Sequence, residues 1–173
     1  ALGFCGADDS VNPNMLGILA HHYPIVEFGV LFRPDKEGEP RYATSAWVEQ
    51  LGKVAALSEG KMKLAAHLCG KRVNEVLSGD DSFVATLYGL GFRRVQINAT
   101  AVNGVDVSRL AESVEAFLSV VTKHPNLEFI LQKNEETKPL WEGVLNLDSE
   151  SAGKTGCLPK NVSALVDESK GTG

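Results

Sequence analysis

Short apolar segments alternate with longer amphipathic ones along most of the chain, and this alternation is the feature that most limits its fold. The strand-like segments cover residues 3–5, 25–32, 63–69, 94–98, 127–131 and 162–166. Most segments between them carry apolar residues at the three-and-four spacing of a helix. Strands joined by helices run parallel, because each helix carries the chain back along the sheet. The sequence therefore predicts an α/β protein with a parallel sheet and helices outside it.

Local signals mark the ends of several helices. Asn12 and Pro13 predict the start of the first helix, because asparagine caps a helix and proline fits its first turn. A helical stretch over residues 73–90 is interrupted near Gly79. Gly91 is expected to end that stretch in a left-handed conformation.

The second half of the chain gives further boundaries. Asp106 or Ser108 is expected to open the clearest helix. The strand at residues 127–131 is nearly all apolar, which predicts burial on both of its faces. The last helix is predicted over residues 137–147, with a loop over residues 148–160.

Two architectures fit a parallel sheet of this kind. One is a (β/α)₈ barrel, and the alternative is an open doubly wound parallel sheet. The glycine fingerprint that follows the first strand of a dinucleotide-binding sheet is absent. Polar residues instead recur at nearly every strand end, and this favours the barrel.

The chain is shorter than a complete barrel. A complete (β/α)₈ barrel has about 250 residues, whereas this chain has 173 and shows about six strand-and-helix units. We therefore expect residues 1–173 to form a single barrel domain that lacks the C-terminal strands seven and eight. The ending at Gly171-Thr172-Gly173 fits a truncated chain.

Polar or ionisable side chains stand at the carboxyl ends of five predicted strands. They are Cys5, His67 with Cys69, Gln96 with Asn98, Gln132 with Asn134, and Asp167 with Glu168. The carboxyl ends of barrel strands converge on one mouth, where barrel enzymes do their chemistry. His67, Asn98 and Asn134 are accordingly predicted to bind substrate. The sequence leaves open that His67 is a hydrogen-bonded lining residue and that the two asparagines hold neighbouring loops.

The net charge limits the classes of binding partner, and the cysteine content bears on the cellular location. The net charge is −5 and the isoelectric point is near 5.4, which argues against binding to nucleic acid or to an anionic membrane. No apolar run approaches the roughly 20 residues of a membrane span. Three scattered cysteines indicate a reducing compartment, which predicts a cytoplasmic location. The oligomeric state stays open.

Several motifs, in matching order along the chain, resemble those of phosphoribosylanthranilate isomerase, a barrel enzyme of tryptophan biosynthesis. They are Phe4-Cys5-Gly6, Gly29-Val30-Leu31-Phe32, Pro40-Arg41-Tyr42, Val95-Gln96, and Leu165-Val166-Asp167 followed by Gly171-Thr172-Gly173.

The resemblance implies an isomerase that converts an aminoaldose into an aminoketose on a small phosphorylated sugar derivative, without a cofactor. It implies that Cys5 is the general base, that Asp167 is the general acid, and that Arg41 holds the anthranilate carboxylate. Acid and base must face each other across the substrate, because one delivers a proton and the other removes one. Lys170 with Gly171-Thr172-Gly173 is a candidate phosphate cradle.

Other interpretations of these residues remain open. Asp8 and Asp9 follow the predicted base, and nearby negative charge raises a cysteine pKa. One alternative is a non-catalytic barrel that binds a phosphosugar. Another is a metal-dependent aldolase-like or hydrolytic barrel that uses His67 with Asp8 or Asp167; Cys5 and Cys69 would be further zinc ligands.

Overall fold

The computed structural model describes residues 2–6, 11–24, 26–32, 45–152 and 159–166, with no account of the side chains of residues 2–6, 103, 147–152, 165 and 166. Six strands form one sheet, and every neighbouring pair is parallel. The strands are β1 (Leu2–Gly6), β2 (Val26–Phe32), β3 (Met62–Leu68), β4 (Phe92–Ile97), β5 (Glu128–Lys133) and β6 (Val162–Val166). The predicted α/β fold with a parallel sheet is confirmed.

Helices connect these strands. They are α1 (Pro13–His22), α2 (Ser45–Leu57), α3 (Lys71–Leu77), α4 (Ser82–Gly89), α5 (Val114–Lys123) and α6 (Lys138–Ala152). Two 3₁₀ helices, Ala101–Asn103 and Val107–Arg109, lie between β4 and α5. No helix in the described part of the chain is long and apolar enough to cross a membrane.

The strands lie side by side in chain order, from β1 to β6. A doubly wound sheet requires a point at which the strand order reverses, so that helices cover both faces. No reversal occurs among the described strands, and the doubly wound alternative is therefore wrong for them. Sequential parallel order is the order of strands in a (β/α)₈ barrel.

The sheet has one face that packs against helices. Phe28 on β2 contacts Trp47 of α2 with ring centroids 6.1 Å apart, and Phe129 on β5 contacts Phe117 of α5 at 6.0 Å. The three phenylalanines are at most 1% exposed. Because side chains alternate between faces along a strand, the other face carries Glu27, Gly29, Ala65, His67, Arg94, Gln96 and Glu128. We call this second surface the polar face.

Several local predictions are confirmed. The Asn12 side chain accepts a hydrogen bond from the backbone N–H of Asn14 at 2.9 Å, and Pro13 lies in the first turn of α1. The stretch over residues 73–90 is interrupted as predicted, and Gly79 has a φ of 88° at the break. Gly91 has a φ of 96°, as expected of a left-handed helix end.

Two helix boundary predictions are wrong. Asp106 does not open α5; its carboxylate accepts from the Ser108 N–H and caps a 3₁₀ turn, and α5 begins at Val114. Helix α6 continues to Ala152 instead of ending at 147. Its last turns contain the polar run Asp148, Ser149, Glu150 and Ser151, which gives no apolar periodicity from which to predict a helix.

Strand β5 also differs from its prediction. It spans Glu128–Lys133 and alternates between buried and half-buried residues. Phe129 and Leu131 are buried against the helices, whereas Glu128 and Ile130 on the polar face are half-buried. The expectation of burial on both faces is therefore wrong.

Candidate functional site

The register of the sheet brings the carboxyl ends of the strands to one edge. His67 of β3 pairs with Leu31 of β2 on one side and with Gln96 of β4 on the other. Gln96 pairs in turn with Ile130 of β5. Paired residues in parallel strands share a face, so these positions form a row across the polar face near its carboxyl-terminal edge.

Gly29 has no side chain, and the imidazole of His67 occupies the space above it. A Cβ atom added at Gly29 on β2 would lie 2.7 Å from the Nε2 atom of His67, so the imidazole lies over Gly29. Glycine within a strand commonly marks such a close approach. Residue Cys5 of β1 pairs with Gly29 on its other side. The tip of the imidazole therefore lies over the strand next to position 5.

Burial shapes the ionisation of His67. Loss of solvent lowers the pKa of His67, and the nearby negative charge of Glu27 only partly opposes this effect. An imidazole with a lowered pKa is neutral at pH 7, and a neutral imidazole accepts a proton. Its position and its charge state both fit a role in proton transfer.

Amide groups form a short chain beside His67. The Nε2 atom of Gln96 donates to Oδ1 of Asn98 at 2.9 Å, and Nδ2 of Asn98 donates to Sγ of Cys69 at 3.6 Å. The Asn98 N–H also donates to the carbonyl of Leu68 at 3.1 Å. Asn98 thus ties the end of β4 to the end of β3, which is one of the two roles left open by the sequence.

Asn134 organises the start of α6. Its Oδ1 accepts from the N–H of Thr137 at 2.9 Å, and its own N–H donates to Oγ1 of Thr137 at 2.9 Å. The Thr137 hydroxyl donates to the carbonyl of Gln132 at 2.7 Å and is buried. These bonds hold the loop after β5, so the described contacts of Asn134 are structural.

The loops that follow β3, β4 and β5 are also joined to one another. The N–H of Ala101 donates to the Glu136 carboxylate at 3.0 Å. The side-chain amide of Asn74 donates to the carbonyl of Gly104 at 3.2 Å. The carboxyl-terminal edge of these three strands is therefore bordered by cross-linked loops.

An ion network occupies the amino-terminal half of the polar face. The Nη1 atom of Arg94 donates to both carboxylate oxygens of Glu27 at 2.8 Å, and its Nε donates to Glu128 at 2.8 Å. Ser163 of β6 donates to the other oxygen of Glu128 at 3.2 Å. This network reaches from β2 to β6, and no sequence pattern predicted it.

A cavity of about 830 Å³ lies near that network, lined in part by Glu27, Lys63, Arg94 and Glu128 together with residues of α2. It opens at the amino-terminal ends of β3 and β4, opposite to the edge that carries His67. Chemistry in parallel barrels takes place at the carboxyl-terminal ends of the strands. The row around His67 is therefore the better candidate site despite the size of this cavity.

The structure describes the backbone of Cys5 within β1 but not its side chain. The other predicted site residues, Arg41, Asp167, Lys170, Gly171, Thr172 and Gly173, lie outside the described residues. Within the described part of the chain, no three His, Cys, Asp or Glu side chains lie close enough to hold a metal ion.

Comparisons with known proteins give little for function. No family model matches the sequence, and no curated protein matches it. Among solved structures, the chain is similar to a family 18 chitinase from Crocus vernus, with 11% sequence identity and a TM-score of 0.46. The alignment covers 90% of this chain and 60% of the chitinase chain. A similarity at this distance assigns no activity.

Proposed function

We propose that this chain is an isomerase of the phosphoribosylanthranilate isomerase type on a (β/α)₈ barrel. Its reaction would be the cofactor-free conversion of a phosphorylated aminoaldose into an aminoketose. The observation that carries the proposal is the parallel order of the sheet. Position 5 near the end of β1 and Val166 at the end of β6 lie at the same edge, and Asp167 follows Val166 directly.

The chemistry requires an acid and a base on opposite sides of one substrate. Asp167 would deliver a proton to the ring oxygen of the sugar and so open the ring. Cys5 as thiolate would then remove the proton from the adjacent carbon. Strands one and six of a closed barrel lie across the mouth from each other, which suits this pair.

The remaining polar groups would bind the substrate. Arg41 would pair with the carboxylate of the aromatic ring, since a guanidinium binds a carboxylate through two parallel hydrogen bonds. Lys170 with Gly171-Thr172-Gly173 would hold the phosphate through backbone N–H groups and one cation. The imidazole of His67 and the amide of Gln96 stand in the described row at the same edge and would bind the sugar hydroxyls.

The test is turnover of phosphoribosylanthranilate by the intact protein, measured by chromatographic separation of substrate and product. We expect Cys5→Ala and Asp167→Asn each to reduce turnover by about 10²- to 10⁴-fold, as loss of an acid or base does. Cys157→Ala is the matched control, because it removes a thiol outside the predicted site. Unchanged turnover in the first two variants would show that the roles are wrong.

The alternative barrel functions give different results in the same preparation. Tight binding of the phosphorylated substrate without turnover would favour a binding protein that keeps only the pocket. Stoichiometric metal found by elemental analysis, with activity lost on chelation, would favour a metal-dependent barrel enzyme that uses His67.

A further inference from the structure

The geometry around Gly29 places the imidazole of His67 next to a backbone position on β1. The Nε2 atom of His67 lies above Gly29, at 2.7 Å from the point where a Cβ would stand. Position 5 is the register partner of Gly29 on β1. Neighbouring strands are about 4.8 Å apart. The imidazole nitrogen of His67 lies above β2, and position 5, which carries the thiol, is therefore one strand spacing away on β1.

His67 is neutral at pH 7 because burial lowers its pKa, and a neutral imidazole can receive a proton. Glu27, two residues before Gly29 on β2, is bound to Arg94 of β4 at 2.8 Å. Lys63 lies at the start of the same strand as His67, and Gln96, its register partner on β4, carries no charge. Partial burial disfavours the imidazolium, whereas a neighbouring anion such as a thiolate favours it.

A thiol needs such a partner to act as a base near neutral pH. The ordinary cysteine pKa is about 8.5, so only a few per cent of the thiol is ionised at pH 7. The polar face supplies an imidazole at the adjacent strand position.

We propose that His67 is the proton-accepting partner of Cys5. The S–H bond of Cys5 breaks and its proton moves to Nε2 of His67, which leaves a thiolate beside an imidazolium. The thiolate then takes the proton from the substrate carbon and becomes a thiol again. After turnover the imidazolium releases one proton to water and the acid takes one up, so that the count of protons is restored. His67 thus acts through Cys5, and this inference rests on the proposed function for the role of Cys5 as the base.

The test needs no substrate, so it is independent of whether the isomerase activity exists. The rate of alkylation of Cys5 by iodoacetamide is measured between pH 5 and pH 9, with tryptic peptide mapping by mass spectrometry. Trypsin places Cys5, Cys69 and Cys157 on three different peptides. We expect His67→Gln to slow alkylation of Cys5 at pH 7 by about tenfold and to move its pH midpoint upward by about one unit. The buried thiol of Cys69 should react equally slowly in both proteins.

Two further measurements exclude a merely structural effect. Gly29→Ala keeps both ionisable groups but puts a methyl group where the ring lies, so it should reproduce the shift of the alkylation profile. In the unmutated protein, the NMR titration of His67 should show a second step as the Cys5 thiol ionises, and alkylation of Cys5 should remove that step. Superimposable alkylation profiles for folded His67→Gln and unmutated protein, or an unchanged His67 titration after alkylation, would overturn the inference. A clear shift without isomerase turnover would instead count against the proposed function.

Discussion

Replacement of Arg94 by methionine tests whether the ion network holds the sheet together. The guanidinium lies on β4 and bonds to Glu27 on β2 and to Glu128 on β5, with three N–O distances of 2.8 Å. It reaches Glu27 across β3, where the register partner of Arg94 is the small residue Ala65. Methionine keeps much of the apolar stem of the side chain and removes only the charge and the hydrogen bonds.

The expected loss follows from the exposure of the three side chains. Arg94 is 36% exposed, Glu27 37% and Glu128 42%, so solvent screens both pairs in part. Exposed pairs contribute about 0.2–1 kcal/mol and broken buried pairs cost about 3–5 kcal/mol. We therefore expect Arg94→Met to lower the free energy of unfolding by about 2 kcal/mol, with a smaller loss in high salt.

Urea unfolding followed by the fluorescence of Trp47 and Trp141 measures this difference. Arg109→Met is the matched control, because Arg109 and its partner Glu112 are 70% and 72% exposed. Its expected cost is below about 0.5 kcal/mol. Equal losses in Arg94→Met and Arg109→Met would refute the argument that the network stabilises the sheet.

Two more predictions concern single side chains. The pKa of His67 in the folded protein lies below its value in the unfolded chain, so the unfolded state binds the proton first as the pH falls. Stability should therefore decrease from about pH 6.5 down to the pKa of the folded protein. Thermal melts across that range should show a smaller decrease for His67→Gln. Thr137→Val removes a buried hydroxyl that bonds to the carbonyl of Gln132 and to the N–H of Asn134, and it should cost about 2 kcal/mol in urea unfolding. Thr122→Val on an exposed turn of α5 should cost far less, and a similar cost in both would contradict the assignment.

The fold was predictable where the physical signal is local. Alternation of apolar segments predicted the six strands, and capping chemistry predicted the start of α1 at Pro13. The sequence also correctly disfavoured the doubly wound sheet, because a missing phosphate-binding glycine pattern is a local observation. Errors occurred at the start of α5, because Asp106 caps a 3₁₀ turn instead, and at the end of α6, where the sequence shows no apolar period.

The candidate site was predictable only in outline. The rule that strand ends share one edge correctly grouped His67, Gln96 and Asn98. It could not show that Gly29 leaves room for the imidazole, because that depends on the register between β2 and β3. Arg94 was missed for the same reason, since its two carboxylate partners lie 67 and 34 residues away in the sequence.

The two halves of the polar face are electrostatically coupled, and this gives a last prediction. Glu27 raises the pKa of His67 by its charge, and Arg94 neutralises part of that charge through two hydrogen bonds. In Arg94→Met the Glu27 carboxylate keeps its full charge, which favours the imidazolium. The pKa of His67 in an NMR titration should therefore rise in Arg94→Met and stay unchanged in Arg109→Met. A His67 titration that is identical in both variants would mean that the charge of Glu27 does not reach the imidazole, and the proton affinity of His67 would then be set by burial and by its neighbour on β1.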